Sequence, residues 1–324
     1  MTDQGHRTDV AAPRTDDPSR PGVGERAQRA LGWITGRRPR SATADRVLLA
    51  VAALLFVVAF VFGLRSVPEG TVEVTVWPFV VLALVAIPLA NVANACEYAV
   101  AARIGGQRVP GGEALEVSVL SSAANLLPLP GAALVRVRAM RRGGASYRRA
   151  LSVTALVGGA WLATSLVLAG ALLAADRDPE VPGAGVAAVL LVGVVGVAGS
   201  ALAVRSLAPA AEVLPLSAAL LGTEVLTVVV AAVRYLLVLH GLGLAAGVEQ
   251  AVALTVAGVL ASALGFVPGG LGLREALAGL IAGLVGLPAA TGVLATAVDR
   301  LVGLPVLAVL AGAFAFRGRA RGRR

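Results

Sequence analysis

Lysine is missing from this chain altogether: all 28 basic side chains are arginine. Neither a Schiff-base lysine nor a phosphate-loop lysine can exist here, which removes two broad groups of enzymes. Cysteine is almost missing as well. With Cys96 alone, an intrachain disulfide is impossible and a cysteine-based metal site has too few ligands. The two histidines, His6 in a polar stretch and His240 at the end of an apolar run, form no cluster for zinc or a catalytic triad. No G-x-S-x-G or H-E-x-x-H string occurs, and no cofactor is expected. Charge is scarce too: 15% of the residues are charged, against roughly 25% in a soluble domain.

What fills the chain is apolar. Of 324 residues 57% are hydrophobic, and the mean hydropathy is +0.83. These values describe an all-α integral membrane protein. The formal net charge of +9 does not point to nucleic acid, because the arginines lie in terminal stretches and in short loops beside apolar runs. Anionic lipid head groups are the expected counter-charge.

Residues 1–45 are rich in Arg, Asp, Pro and Gly and contain no apolar run, so they read as a disordered cytoplasmic tail. No apolar core follows a short basic start, so a cleaved signal peptide is not expected. The membrane domain is expected over 46–316 and a basic cytoplasmic tail over 317–324. Six stretches are long enough to cross about 30 Å of hydrocarbon as helices of about 20 residues: 47–64, 77–100, 150–174, 184–204, 213–240 and 290–316. Two further apolar stretches are interrupted. Residues 113–135 are broken at Asn125, Pro128, Pro130 and Gly131, and 250–285 at Gly265, Pro268, Gly269, Gly270 and Gly272. Each reads as two half-helices joined by an irregular turn, which a membrane tolerates only where protein or a water-filled cavity covers the backbone. The rival reading is two ordinary helices kinked by Pro and Gly.

The distribution of arginine supports the broken pairs. With both termini on the cytoplasmic side of the cell membrane, Glu69 and Glu73 fall outside. Arg103, Arg108, the dense run Arg136 to Arg149, Arg205 and the C-terminal arginines fall inside. The first broken pair then opens inward and the second outward. Three full spans separate them, so the two are expected as inverted repeats of a transporter-like architecture. The pairs also echo each other locally: Arg136 follows Pro130 by six residues, and Arg274 follows Pro268 by six.

Seven charged residues sit inside apolar sequence: Glu97, Glu224, Arg234, Arg274, Glu275, Asp299 and Arg300. Each costs about 2.5–3.5 kcal/mol near a bilayer centre unless it is paired or faces a polar cavity. Asp299 and Arg300 are adjacent, about 100° apart on a helix, and cannot pair well with each other. Arg274, Glu275, Glu224 and Arg234 are the candidate partners. Two readings follow, a set of structural ion pairs or a cationic pocket in which Arg274, Arg300 and Arg136 bind an anionic head group through guanidinium forks. Gly269, Gly270 and Gly272 would let backbone approach that anion, and a half-helix beginning near Leu271 would aim free N–H groups at it. Asn91, Asn94 and Asn125 could line the same cavity or hydrogen-bond between helices. Glu97 is a further candidate, as a proton site.

At these residues the chain resembles the lysylphosphatidylglycerol synthetase transmembrane-region family, the flippase-like module of multiple peptide resistance factors. The likeness rests on Asn125-Leu-Leu-Pro-Leu-Pro-Gly131 through Arg136, on Val267-Pro-Gly-Gly-Leu-Gly-Leu-Arg-Glu275, on Gly286-Leu-Pro288 and on Arg300, within residues 45–316. It implies two re-entrant helix pairs, a central cavity, and translocation of an anionic phospholipid or polyprenyl-phosphate-linked lipid. In two ways the chain departs from the family pattern. Ala132, Ala133, Leu134 and Val135 stand where the first repeat usually carries an acidic residue before its Arg, and only a short Arg-rich stretch follows 316 in place of an aminoacyl-transferase domain. A non-enzymatic lipid flippase is therefore expected, with the membrane and an anionic lipid as partners, no nucleic acid, and room for a homo-oligomer. The alternatives are a membrane-embedded transferase with Glu275 or Asp299 as base, and a non-transporting subunit of a cell-envelope assembly.

Overall fold

The computed structural model describes residues 61, 65, 73–125, 131–176, 183–244, 246–264 and 272–321. Among them the chain is helical, with no strand. In order the helices are α1 (Val76–Ile104), α2 (Gly111–Ala124), α3 (Gly131–Arg142), α4 (Tyr147–Asp176), α5 (Gly183–Leu207), α6 (Val213–Gly241), α7 (Val248–Leu264), α8 (Leu273–Leu284) and α9 (Ala289–Arg321). Five stretches are long and apolar enough to cross a membrane: Val76–Ile104, Tyr147–Ala175, Gly183–Leu207, Ala210–Gly241 and Ala289–Phe314. They coincide with five of the six expected spans. The remaining one, 47–64, lies outside the described residues apart from Val61, as does the expected tail 1–45. The last helix runs on to Arg321, past the boundary expected at 316.

Around an apolar core, the outer surface differs from that of a water-soluble bundle. Leu191, Val192, Leu202, Leu214, Val309 and other large apolar side chains face outward, while Glu224, Glu275 and Asp299 are buried. Such a surface suits lipid and would be costly in water. The chain is a multi-pass helical membrane protein.

Backbone chemistry explains the local irregularities. Pro88 has no N–H to offer the carbonyl of Leu84, and α1 widens into a π turn over Leu82–Ala86 just before it. Pro305 likewise interrupts the ladder inside α9. The four short helices α2, α3, α7 and α8 flank the two Pro/Gly breaks, and those breaks, 126–130 and 265–271, lie outside the described residues. The longest of the four, α7, rises about 25 Å and α8 only about 18 Å, so none spans about 30 Å of hydrocarbon alone. Within each pair the helices pack on each other, α2 on α3 and α7 on α8.

Contacts between helix ends tie the bundle together. At one end Arg149, at the start of α4, donates through Nη2 to the carbonyls of Ile104 (3.3 Å) and Leu207 (2.7 Å), the C-termini of α1 and α5. Gln107 donates to the carbonyl of Met140 in α3 at 2.6 Å in the same region. A cation on the free carbonyls of two helix ends is favoured by their dipoles. At the other end Thr75 N donates to Gly241 O (2.9 Å), joining the start of α1 to the end of α6. Gln250 Nε2 donates to Val285 O (3.1 Å), joining the start of α7 to the end of α8.

Candidate functional site

Three helices bring charge together in the second half. Arg234 of α6 reaches Asp299 of α9 with two parallel hydrogen bonds, Nε to Oδ1 at 3.0 Å and Nη2 to Oδ2 at 2.8 Å. This is the bidentate fork that makes arginine–carboxylate pairs strong. Arg274, the second residue of α8, donates through Nη2 to Tyr235 Oη at 3.1 Å and lies 3.4 Å from Asp299 Oδ2. Its guanidinium also sits 6.0 Å from the centre of the Tyr235 ring, within cation–π reach. Arg300 pairs with Glu275 Oε1 at 3.2 Å, closing α9 onto α8. The adjacent residues Asp299 and Arg300 thus have separate partners on other helices, as their angular separation requires.

The N-terminus of α8 explains why Glu275 holds its place. Gly272 adopts φ +79°, a left-handed conformation that side-chain-bearing residues rarely take, and turns the chain into the helix. Glu275 at the third helical position reaches back and accepts the Gly272 N–H through Oε2 at 2.7 Å, the reciprocal half of a capping box. The helix starts at Leu273, with Gly272 as its N-cap. Gly269 and Gly270 lie outside the described residues.

In charge, the cluster holds three guanidinium groups against two carboxylates. The carboxylates are sealed, Asp299 at 2% side-chain exposure and Glu275 at 0%, whereas Arg274 and Arg234 remain open at 25% and 22%. Arg274 Nε has no hydrogen-bond partner among the described residues. The arrangement presents surplus positive charge inside an apolar bundle.

The first half carries a different cluster. Arg136 of α3 forms an ion pair with Glu97 of α1, and Arg136 Nε has no partner among the described residues. Glu224 of α6 has Glu97 and Arg136 as its charged surroundings. Sequence reasoning had offered Glu224 as a partner for Asp299 or Arg300 and Arg136 as a third arm of one pocket. The interactions divide them: α1 packs on α6 and Glu224 has Glu97 in its charged surroundings, while Arg234, ten residues further along α6 and about 15 Å away, takes Asp299.

Asn91 and Asn125 make hydrogen bonds between elements. Asn91 donates to Ile87 O and its side-chain oxygen accepts from Ser122 Oγ at 3.1 Å, binding α1 to α2. Asn125 Oδ1 accepts the Ala132 N–H at 3.2 Å, filling an orphan donor at the start of α3. Beside the first pair lies a cleft of about 940 Å³, lined by α2, α3 and Phe314, where Glu113, Glu116, Arg138 and Arg142 share an otherwise apolar wall.

Two participants escaped sequence reasoning. Tyr235 is buried beneath Arg274 and also lies 3.4 Å from Thr296 Oγ1. The available signal was a hydroxyl in mid-span beside an arginine. Gly258 of α7 lies under the same guanidinium: a Cβ there would come 3.3 Å from Arg274 Nε. Nothing in a glycine inside a helical run distinguishes this role from simple packing.

A family model described as lysylphosphatidylglycerol synthase TM region matches residues 47–312. The chain belongs to that family. No curated protein matches it. Membership in the lysylphosphatidylglycerol synthase TM family, together with the helical apolar spans, suggests a membrane lipid-related function, and the matched range contains both charge clusters.

Proposed function

We propose that this lysylphosphatidylglycerol synthase TM family member moves a phosphate-bearing lipid between leaflets of the cell membrane, the head group passing the Arg234–Arg274–Arg300 cluster. One observation carries the reading. Three arginines oppose two sealed carboxylates within the bundle, and the two arginines on Asp299 stay partly open. A head-group phosphate crossing hydrocarbon bears a cost that such a site lowers, while the acyl tails stay in lipid. Phosphatidylglycerol-like and polyprenyl-phosphate lipids share this chemistry.

The two short helix pairs are read as re-entrant and inverted relative to each other. Gln107 and Arg149 gather the ends of α1, α3, α4 and α5 at the arginine-rich end. Gln250 holds the outer ends of α7 and α8 together, and Thr75 holds the end of α6 at the opposite end. By the arginine distribution the first end is cytoplasmic. Rocking of one half against the other would expose the cluster alternately. A transferase is less well supported, because Glu275 and Asp299, its candidate bases, are both held by arginine.

The test is leaflet exchange in liposomes. Purified protein should accelerate exchange of labelled phosphatidylglycerol or a labelled polyprenyl phosphate over empty vesicles. Arg274→Ala should fold, since Arg234 still neutralises Asp299, yet exchange about 10- to 100-fold more slowly, the loss of a charged hydrogen bond of about 1.5–3 kcal/mol. Arg274→Lys should recover part of the rate. Equal exchange by wild type and Arg274→Ala would remove the cationic site from the mechanism.

A further inference from the structure

Glu224 has no use in the cationic site, and its situation is unusual. It is 0% exposed, and neither Oε1 nor Oε2 has a hydrogen-bond partner among the described residues. Its charged neighbours are Glu97 from α1 and Arg136 from α3. The Arg136 guanidinium is already committed to Glu97. On α2, packed against α1 and α3, Glu113 and Glu116 line the adjoining cleft with Arg138 and Arg142; the titratable residues of α4, α5 and α7 stand near those helices' ends (Tyr147, Arg148, Arg149, Asp176, Arg205 and Glu249), and on α9 Asp299 and Arg300 face the other cluster. Tyr98 shares the surrounding core but is itself neutral at ordinary pH.

One guanidinium therefore serves two carboxyls within the membrane. Ionising both would leave a net charge of −1 on a buried cluster, one of whose carboxylates accepts no hydrogen bond, a cost of several kcal/mol. Two carboxyls that share one cation cannot both ionise readily. A proton on Glu224 would make the cluster neutral, the Glu97–Arg136 pair cancelling.

We propose that Glu97, Arg136 and Glu224 form a proton-binding site, and that the proton on Glu224 couples lipid movement to proton movement. The inference rests on the lipid-translocation reading above. When Glu224 is protonated, Arg136 is contested by Glu97 alone. Its side chain, 16% exposed, is then available to a lipid phosphate through the guanidinium donors that Glu97 does not take. When rocking admits water to Glu224, the O–H bond breaks, the proton passes to water and the cluster goes from 0 to −1. Arg136 is drawn between two carboxylates and the phosphate is expelled. Re-protonation from water on the other side returns the cluster to neutrality, so one proton travels for each cycle of binding and release. No bond in the lipid changes.

Two measurements test this. In detergent-purified protein at neutral pH, infrared difference spectroscopy should show the carbonyl stretch of a buried, protonated carboxyl, and Glu224→Gln should remove it. The amide keeps the shape of the neutral acid, so the variant should fold. In liposomes carrying labelled phosphatidylglycerol, an imposed pH gradient should change the wild-type exchange rate several-fold with its direction, whereas Glu224→Gln should exchange equally in both directions. Persistence of the band in Glu224→Gln overturns the site. Wild-type exchange indifferent to the gradient overturns the coupling. Absence of any wild-type exchange, with the band present and lost in Glu224→Gln, overturns the lipid reading and leaves the proton site standing.

Discussion

The two halves of the bundle place an arginine after a similar Pro/Gly break and use it differently. In the second half Arg274 joins Arg234 and Arg300 around two sealed carboxylates, a cluster with positive charge to spare. In the first half Arg136 stands alone between Glu97 and Glu224, a cluster with none. Helix placement accompanies the difference. Arg274 is the second residue of α8 and shares the first turn with Glu275, whereas Arg136 is the sixth residue of α3, beyond four apolar positions that offer it no local carboxylate. An arginine in a membrane is thus not in itself an anion site; the balance of carboxylates around it, and whether they hold a proton, decides.

The comparison is most severely tested by removing the charge that balances Glu275. Arg300→Met leaves a fully buried carboxylate without its ion-pair partner, and breaking a buried pair in this way costs about 3–5 kcal/mol. Thermal unfolding in detergent should register the loss, and the double variant Arg300→Met with Glu275→Gln should regain much of it. A single variant as stable as wild type would mean that Glu275 is not held as a carboxylate, and the second cluster would then resemble the first.

Much of this architecture is legible in the sequence, and the limits follow from what periodicity encodes. Uninterrupted apolar runs mark the five spans because hydrocarbon thickness sets a minimum length, and the run 77–100 reappears within Val76–Ile104. Pro128, Pro130, Pro268 and the glycines around them mark where helices must break, and α2, α3, α7 and α8 end or begin there. Mid-span charges mark the candidate residues. Their partners are another matter, since helical spacing tells which residues share a face but not which helix that face meets. Glu224 and Arg234, on one helix, belong to different clusters for this reason. Gly258 is silent because its contribution is the absence of a side chain.

Gly258 offers a gentler way to sharpen the contrast, because it alters the position of Arg274 and not its charge. A methyl group at 3.3 Å from Nε obliges the guanidinium to shift by a few tenths of an ångström. Off-rotamer displacement costs about 0.5–1.5 kcal/mol, so Gly258→Ala should slow lipid exchange by about two- to tenfold while leaving the pH-gradient response, assigned to the first cluster, intact. Parallel loss of both would mean that the two clusters act as one.

The smallest effect is expected at the entry to α3, where the two pairs also differ. In α8 the turn is closed by its own Glu275, buried and charged; in α3 the corresponding orphan N–H, that of Ala132, is satisfied from across the break by the exposed side chain of Asn125. Losing a cap costs about 0.5–2 kcal/mol, and exposure to solvent puts Asn125→Ala at the low end, about 0.5 kcal/mol. Water can replace an amide oxygen at an open helix end, so Asn125→Asp, which keeps an acceptor there, should unfold at the wild-type temperature or slightly above it. If Asn125→Ala instead lowered stability as much as Arg300→Met, the amide would be holding the break itself closed, and the first pair would depend on its turn as strongly as the second depends on its ion pairs.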